Sequence, residues 1–183
     1  MKSIELKKLR KLRKRELVVI LPDIRSSYNI GSIFRTADAT GVSKIYICGY
    51  SPCPTDKFNR PQKEIAKTAL GAEKRIPWEY KKDVRGLIKK LKEEGFVVVA
   101  VEQDERSITY KKLFKQKKFK TKKSDGKSET SENKLAIVFG NEVEGLSKKI
   151  IDMCDEVVDI PMLGEKESLN VSVSAGIILY ELI

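Results

Sequence analysis

The sequence predicts an α/β domain in which a mostly parallel β-sheet is covered by helices on both faces. Three observations lead there. Short, β-branched apolar runs recur along the chain, amphipathic helical stretches alternate with them, and no internal repeat interrupts that rhythm. At 183 residues and 40% apolar content, the chain is long enough to bury one sizeable core. Residues 17–183 are read as that single domain, preceded by a basic helix over residues 1–16.

The elements follow in order. Leu17-Val18-Val19-Ile20-Leu21 is a buried strand closed by Pro22. A helix is expected from Tyr28 to Thr40, with Ile30, Ile33, Phe34 and Ala37 on one side, Asn29 as its N-cap and Gly41 at its stop. Lys44 to Gly49 is the second strand, followed by a loop rich in Pro and Ser. Pro61 opens a helix that runs to Leu70 and stops at Gly71. Lys82 to Glu94 is an amphipathic helix ended by Gly95, and Phe96 to Val101 is the next strand. Residues 105–134, rich in Lys, Ser, Thr, Asp and Gly, predict a mobile loop. Leu135 to Phe139 is again a strand, then come a short helix near 147–153 and a strand at Val157 to Ile160. The final helix begins near Ser168–Asn170. Parallel sheets bind ligands beyond the carboxyl ends of their strands, and the informative segments fall there.

Charge narrows the partners. The net charge of +11 is concentrated in two segments. Residues 1–16 carry eight Lys/Arg against two Glu, and residues 111–134 carry ten Lys against three acids, so the remaining body is slightly acidic. Two cationic segments on a near-neutral domain fit a polyanion, and RNA or DNA is the usual one. No apolar run is long enough to span a bilayer, and the first residues are too charged for a signal-peptide core. No membrane and a cytoplasmic location are therefore expected. Cys48, Cys53 and Cys154 have no framework spacing and read as idle thiols. The chain has no histidine, which argues against a metal site and excludes hydrolases that need an imidazole base.

The glycine signatures of dinucleotide-binding folds and P-loop NTPases are missing. Three other segments stand out. The first is Asn29-Ile30-Gly31-Ser32-Ile33-Phe34-Arg35-Thr36-Ala37, which by itself equally fits a capped helix with one exposed arginine. The second is Phe139-Gly140-Asn141-Glu142-Val143-Glu144-Gly145-Leu146, a tight turn after a buried strand whose glycines suit either a plain turn or close approach to a ligand. The third joins Ile160-Pro161-Met162-Leu163-Gly164 to Ser168-Leu169-Asn170-Val171-Ser172-Val173-Ser174-Ala175-Gly176, whose small residues also fit close helix packing.

Taken together, in this order and spacing, the three resemble the signature motifs of the SpoU/TrmH branch of the SPOUT methyltransferases. The resemblance spans roughly residues 17–183 and includes Lys67-Thr68-Ala69-Leu70-Gly71-Ala72-Glu73. It implies methylation of ribose 2′-hydroxyls in tRNA or rRNA with S-adenosylmethionine as cofactor. It also implies a C-terminal trefoil knot, contrary to the general rule that chains avoid knots, and a homodimer with its active site at the subunit interface.

Carried over by motif, the cofactor would be held by Gly140 and Asn141, by Ile160 and Met162, and by Leu169, with Val101 and Gln103 completing the wall. Arg35 takes the catalytic role, and Asn29, Glu142, Ser168 and Asn170 hold the arginine, the ribose or the cofactor. A guanidinium can orient a hydroxyl and stabilise a developing alkoxide, although it releases its own proton only in strong alkali. Many relatives carry a further RNA-binding domain before the first motif, so RNA selection here is expected to rest on the N-terminal helix and the Lys-rich loop. The alternatives are a non-catalytic RNA-binding or ribosome-assembly factor on the same scaffold, a base methyltransferase of another SPOUT branch, and an unrelated small-molecule role.

Overall fold

The computed structural model describes residues 15–116 and 134–183. Within these residues, seven strands form one sheet: β1 (Glu16–Pro22), β2 (Lys44–Cys48), β3 (Trp78–Lys81), β4 (Val97–Val101), β5 (Ile108–Thr109), β6 (Lys134–Phe139) and β7 (Glu156–Asp159). Among the described residues, seven helices accompany them: α1 (Ser27–Thr40), α2 (Lys63–Ala69), α3 (Ala72–Arg75), α4 (Val84–Glu93), α5 (Tyr110–Phe114), α6 (Lys148–Ile151) and α7 (Val171–Glu181). The strand order is β3-β2-β1-β6-β4-β7-β5, and every neighbouring pair is parallel.

Residue alternation in β1 explains the two covered faces. Leu17, Val19 and Leu21 enter one core with Ile33 and Phe34 of α1 and Ile178 and Leu179 of α7. Val18 and Ile20 enter the other with Leu87, Ile88 and Leu91 of α4 and Ile150 and Ile151 of α6. A strand that feeds two cores must be apolar at every inward and outward position, which is why it reads as a continuous run. Because β1, β6 and β4 are central, their carboxyl ends (Pro22, Phe139, Val101) converge where the chain switches from one side of the sheet to the other.

Two local contacts fix α1. Ser26, not Asn29, is its N-cap, its hydroxyl accepting from the Asn29 N–H at 3.3 Å. This corrects the sequence expectation and leaves the Asn29 side-chain amide free for other work. Gly31 allows α2 to pack closely: a Cβ there would overlap both Thr68 Oγ1 and the Ile65 carbonyl oxygen. The Lys67–Gly71 stretch and the first motif are therefore two halves of one helix contact.

The first part of the stretch expected to be a Lys-rich loop is ordered instead. Ile108 and Thr109 pair with β7, and α5 buries Leu113 and Phe114. The apolar residues Ile108, Leu113 and Phe114 account for the difference, since each gains burial at the sheet edge. Residues 117–133 of the expected loop, and residues 1–14 of the expected basic helix, lie outside the described residues. Glu16, expected to end that helix, is the first residue of β1. Sequence reading does not find α3 or the edge strand β3, whose Trp-Glu-Tyr-Lys composition shows no apolar run. Among the described residues, no helix is long and apolar enough to cross a membrane.

Candidate functional site

Beyond the carboxyl ends of β4, β6 and β7 lies a cavity of about 330 Å³, within the usual range for small-ligand sites. Val101 ends β4, Phe139 ends β6 and Asp159 ends β7, and all three line it. The residues expected to hold a cofactor also line it: Val101, Gln103, Gly140, Asn141, Ile160, Met162 and Leu169. Glu142 and Ser168 also line the cavity.

The floor is a turn over residues 140–145. Asn141 and Gly145 exchange backbone hydrogen bonds of 3.3 and 3.2 Å, and the Asn141 side-chain oxygen accepts from the N–H groups of Val143 (2.8 Å) and Glu144 (2.7 Å). Gly145 has φ +65, which favours glycine. At Gly140 the reason for glycine is space: an added Cβ would sit 2.6 Å from the Gly145 carbonyl carbon and 2.8 Å from the Leu146 nitrogen.

A residue outside the motifs braces this turn. The Glu102 carboxylate accepts from the Leu146 N–H at 2.7 Å and from the Gln103 N–H at 3.0 Å. It fills the space that side chains at Gly140 and Gly145 would need. Motif reasoning misses it, although its place directly after a central parallel strand was an available signal. Glu167 is missed as well. It contributes a backbone carbonyl, which accepts from Gln103 Nε2 at 2.5 Å and ties the wall to the segment before α7. No side-chain pattern reveals a bond of that kind.

The three motifs meet beside the cavity. Glu142 accepts from the N–H groups of Arg25 (2.9 Å) and Ser26 (3.1 Å) and from Asn29 Nδ2 (2.8 Å). Asn29 Oδ1 in turn accepts from Asn170 Nδ2 at 3.1 Å. Asn170 Oδ1 caps α7, accepting from the Ser172 N–H (2.8 Å) and hydroxyl (2.6 Å). Burial alone would raise the Glu142 pKa, but the donors from Arg25, Asn29 and Ser26, with its own N–H, outweigh it and hold the carboxyl below its ordinary value.

Arg35 is not brought to this cavity by its own chain. It lies exposed on α1 and lines no part of the pocket. The cysteines take no part either. Burial, reinforced by neighbouring aspartates, pushes the Cys48 and Cys154 thiols up to about 12, so neither offers a thiolate near neutrality.

Acidic groups are concentrated at the cavity although the chain carries +11 overall: Glu102, Glu142, Glu144, Asp159 and Glu167 line it alongside apolar Ile160, Met162, Leu169 and Val171. Such a lining suits a ligand with a cationic centre and a flat apolar part.

Known proteins share this architecture. A crystal structure of an AdoMet-bound rRNA methyltransferase from Sinorhizobium meliloti superposes with a TM-score of 0.74, at 26% identity over 91% of this chain and 55% of its own. The A. aeolicus TrmH/SpoU tRNA modifying enzyme gives 0.71, at 27% identity over 98% and 82%. A Staphylococcus haemolyticus protein, provisionally named a TrmH family tRNA/rRNA methyltransferase, is 33% identical over 164 residues, or 90% of this chain. The chain spans 57% of that relative's length. The family description of SpoU rRNA methylases matches residues 16–180, which takes in all three motifs and the seven-stranded sheet that carries them. The chain belongs to the SpoU methylase family.

Proposed function

We propose that the protein transfers a methyl group from S-adenosylmethionine to a ribose 2′-hydroxyl of tRNA or rRNA, as a homodimer working in the cytoplasm. The observation that carries this reading is the convergence of Glu142, Asn29 and Asn170, one from each motif, in a single hydrogen-bonded chain at the rim of the cavity. Family membership and the AdoMet-bound relative support it.

The residues present fit the cofactor. Gly140 lets the turn close against its own backbone and present that backbone to the cavity, the acids suit a sulfonium and an ammonium, and Ile160, Met162 and Leu169 suit an adenine. Gly140, Asn141, Ile160, Met162 and Leu169 are the residues that would hold it, backed by Val101 and Gln103; the trefoil knot implied by the resemblance belongs to this proposal. S-adenosylmethionine supplies a methyl already made electrophilic by its sulfonium, so the chain needs mainly to align and to stabilise charge. Glu142 fixes Asn29, and Asn29 and Asn170 together set the α7 N-terminus and Ser168 beside the cavity. Arg35, exposed on α1, is available to orient the ribose hydroxyl and its phosphate at the pocket of a partner subunit.

The experiment has two arms. Calorimetry should register one S-adenosylmethionine or S-adenosylhomocysteine per chain, and 2′-O-methyl mapping of tRNA and rRNA should lose a position in cells lacking the gene. No heat with either ligand at high concentration of folded protein overturns the cofactor assignment, and an unchanged methylation map overturns the ribose assignment.

A further inference from the structure

A second cavity adjoins the first. It measures about 530 Å³ and is lined by Arg25, Tyr50, Asn141, Val143 and Glu144. Asn141, Val143 and Glu144 line both cavities, so the turn that floors the cofactor pocket is also the partition between the two. A group bound in the second cavity therefore sits directly across that turn from the proposed methyl donor.

Arg25 and Tyr50, which complete its lining, are exposed on anchored backbones, and the Tyr50 hydroxyl accepts from Asn141 Nδ2 at 3.4 Å. Tyr50 lies in a tight connection after β2: its N–H donates to Asp23 Oδ1 at 3.2 Å, and the Gly49 carbonyl before it accepts from the Tyr80 hydroxyl at 2.9 Å. The next residue, Ser51, is buried and its hydroxyl joins the Leu21 carbonyl (2.9 Å) and the Ile24 N–H (2.8 Å). Even so, Tyr50 is 62% exposed. An aromatic residue on so firmly anchored a backbone loses little entropy on binding, which favours a stacking platform. Arg25 is anchored at its N–H by Glu142 and is itself exposed. No described acid forms an ion pair with its guanidinium. A cation left unpaired beside an exposed ring matches the phosphate and the base of one nucleotide.

Resting on the reading of the protein as an RNA methyltransferase, we propose that this cavity receives the base of the unpaired nucleotide whose ribose is methylated. The base stacks on Tyr50, Arg25 takes its phosphate, and Glu144 is positioned to accept from an exocyclic amine. That arrangement gives the chain a readout of base identity on its own scaffold, apart from the basic segments that supply general affinity.

The test uses the full chain with S-adenosylhomocysteine and an RNA that the wild type methylates. Tyr50→Ala should weaken RNA binding about tenfold, the scale of one stacked base, and Tyr50→Phe should stay within about twofold because the ring remains. Both variants should bind S-adenosylhomocysteine like the wild type. Arg25→Ala should lower the dependence of RNA affinity on log[salt] by about 0.7–0.9, the share of one neutralised phosphate. Wild-type RNA affinity in Tyr50→Ala, or equal losses in Tyr50→Ala and Tyr50→Phe, overturns the proposal while leaving the methyltransferase reading intact. A wild-type protein that methylates no RNA overturns both.

Discussion

Asn29 and Asn170 are 141 positions apart in the chain and joined by a 3.1 Å hydrogen bond, with the Asn170 amide donating to the Asn29 oxygen. Asn170 uses its other end to cap α7. One side chain thus performs two separable tasks, and two substitutions separate them. Asn170→Ser keeps a good cap but has no amide to reach Asn29. It should retain a denaturation midpoint near the wild type yet lose at least about tenfold in methyl transfer, because the rim of the site is no longer held in register. Asn170→Ala should lose the same activity and also about 1 kcal/mol of stability, a typical cost of losing a cap. Full transfer by Asn170→Ser would show that the amide link is dispensable.

The Gly140 turn and Glu102 form the second linked pair. An added Cβ at Gly140 meets backbone, which cannot rotate out of the way as a side chain can. Gly140→Ala should reduce cofactor affinity at least tenfold, or about 1.4 kcal/mol. Glu102→Gln puts one amide NH₂ against an N–H donor, from Leu146 or from Gln103, where the carboxylate accepted both. Calorimetry should register a severalfold weaker cofactor, with circular dichroism unchanged. Wild-type affinity in both variants would dissociate the turn from binding.

Acid should dissolve the Glu142 bridge. Its carboxyl is held below the ordinary 4.5 in the folded chain, so the folded state binds a proton less readily than the unfolded one. The stabilisation is therefore complete above the ordinary value and is lost as pH falls through the lowered one. Thermal midpoints measured from neutrality into acid should fall more steeply for the wild type than for Glu142→Gln, whose side chain does not titrate. Parallel profiles would assign the acid sensitivity to other carboxylates.

Legibility in the sequence follows burial. β1, β4 and β6 are readable because a strand that feeds two cores is apolar throughout, whereas β3 and β5 lie at the sheet edges and carry no such run. The cavity wall is readable because motif residues fall at strand ends. Glu102 sets its carboxylate on backbone N–H donors, and only its place after a central strand marks it in the sequence, whereas Glu167 offers a backbone carbonyl that no residue pattern encodes. The cap of α1 is ambiguous in sequence because Ser26, Ser27 and Asn29 are all competent caps. Asn170, 141 positions from Asn29, occupies the Asn29 oxygen that a cap would use, and the Ser26 hydroxyl takes the capping role.

The basic segment after α5 gives a prediction about RNA. Since Leu113 and Phe114 are core residues, the informative deletion is 117–133, not the whole Lys-rich stretch. Those residues contain six Lys against three acids. Their removal should flatten the salt dependence of RNA affinity by about 0.7–0.9 for each phosphate they neutralise. Cofactor affinity should be unchanged. An unaltered slope would mean these lysines are only solvated.

Arg35 makes the sharpest prediction. It is exposed on α1 and does not line its own chain's cavity, which suits action at a second subunit's pocket, and light scattering should report about twice the 20.8 kDa of one chain. Arg35→Lys keeps the charge but loses the planar fork that can hold a ribose oxygen and a phosphate together. Cofactor affinity should stay within about threefold, while methyl transfer falls at least about 10²-fold, the scale of a lost electrostatic clamp. Mixed dimers then decide where the arginine acts. A subunit carrying Arg35→Ala retains its pocket, and one carrying Gly140→Val retains its arginine. If Arg35 serves the neighbouring pocket, refolding the two inactive variants together restores one working site per mixed dimer. If it serves its own, the mixture stays as inactive as its parts. Near wild-type turnover by Arg35→Ala alone would reduce the residue to an exposed side chain on a capped helix.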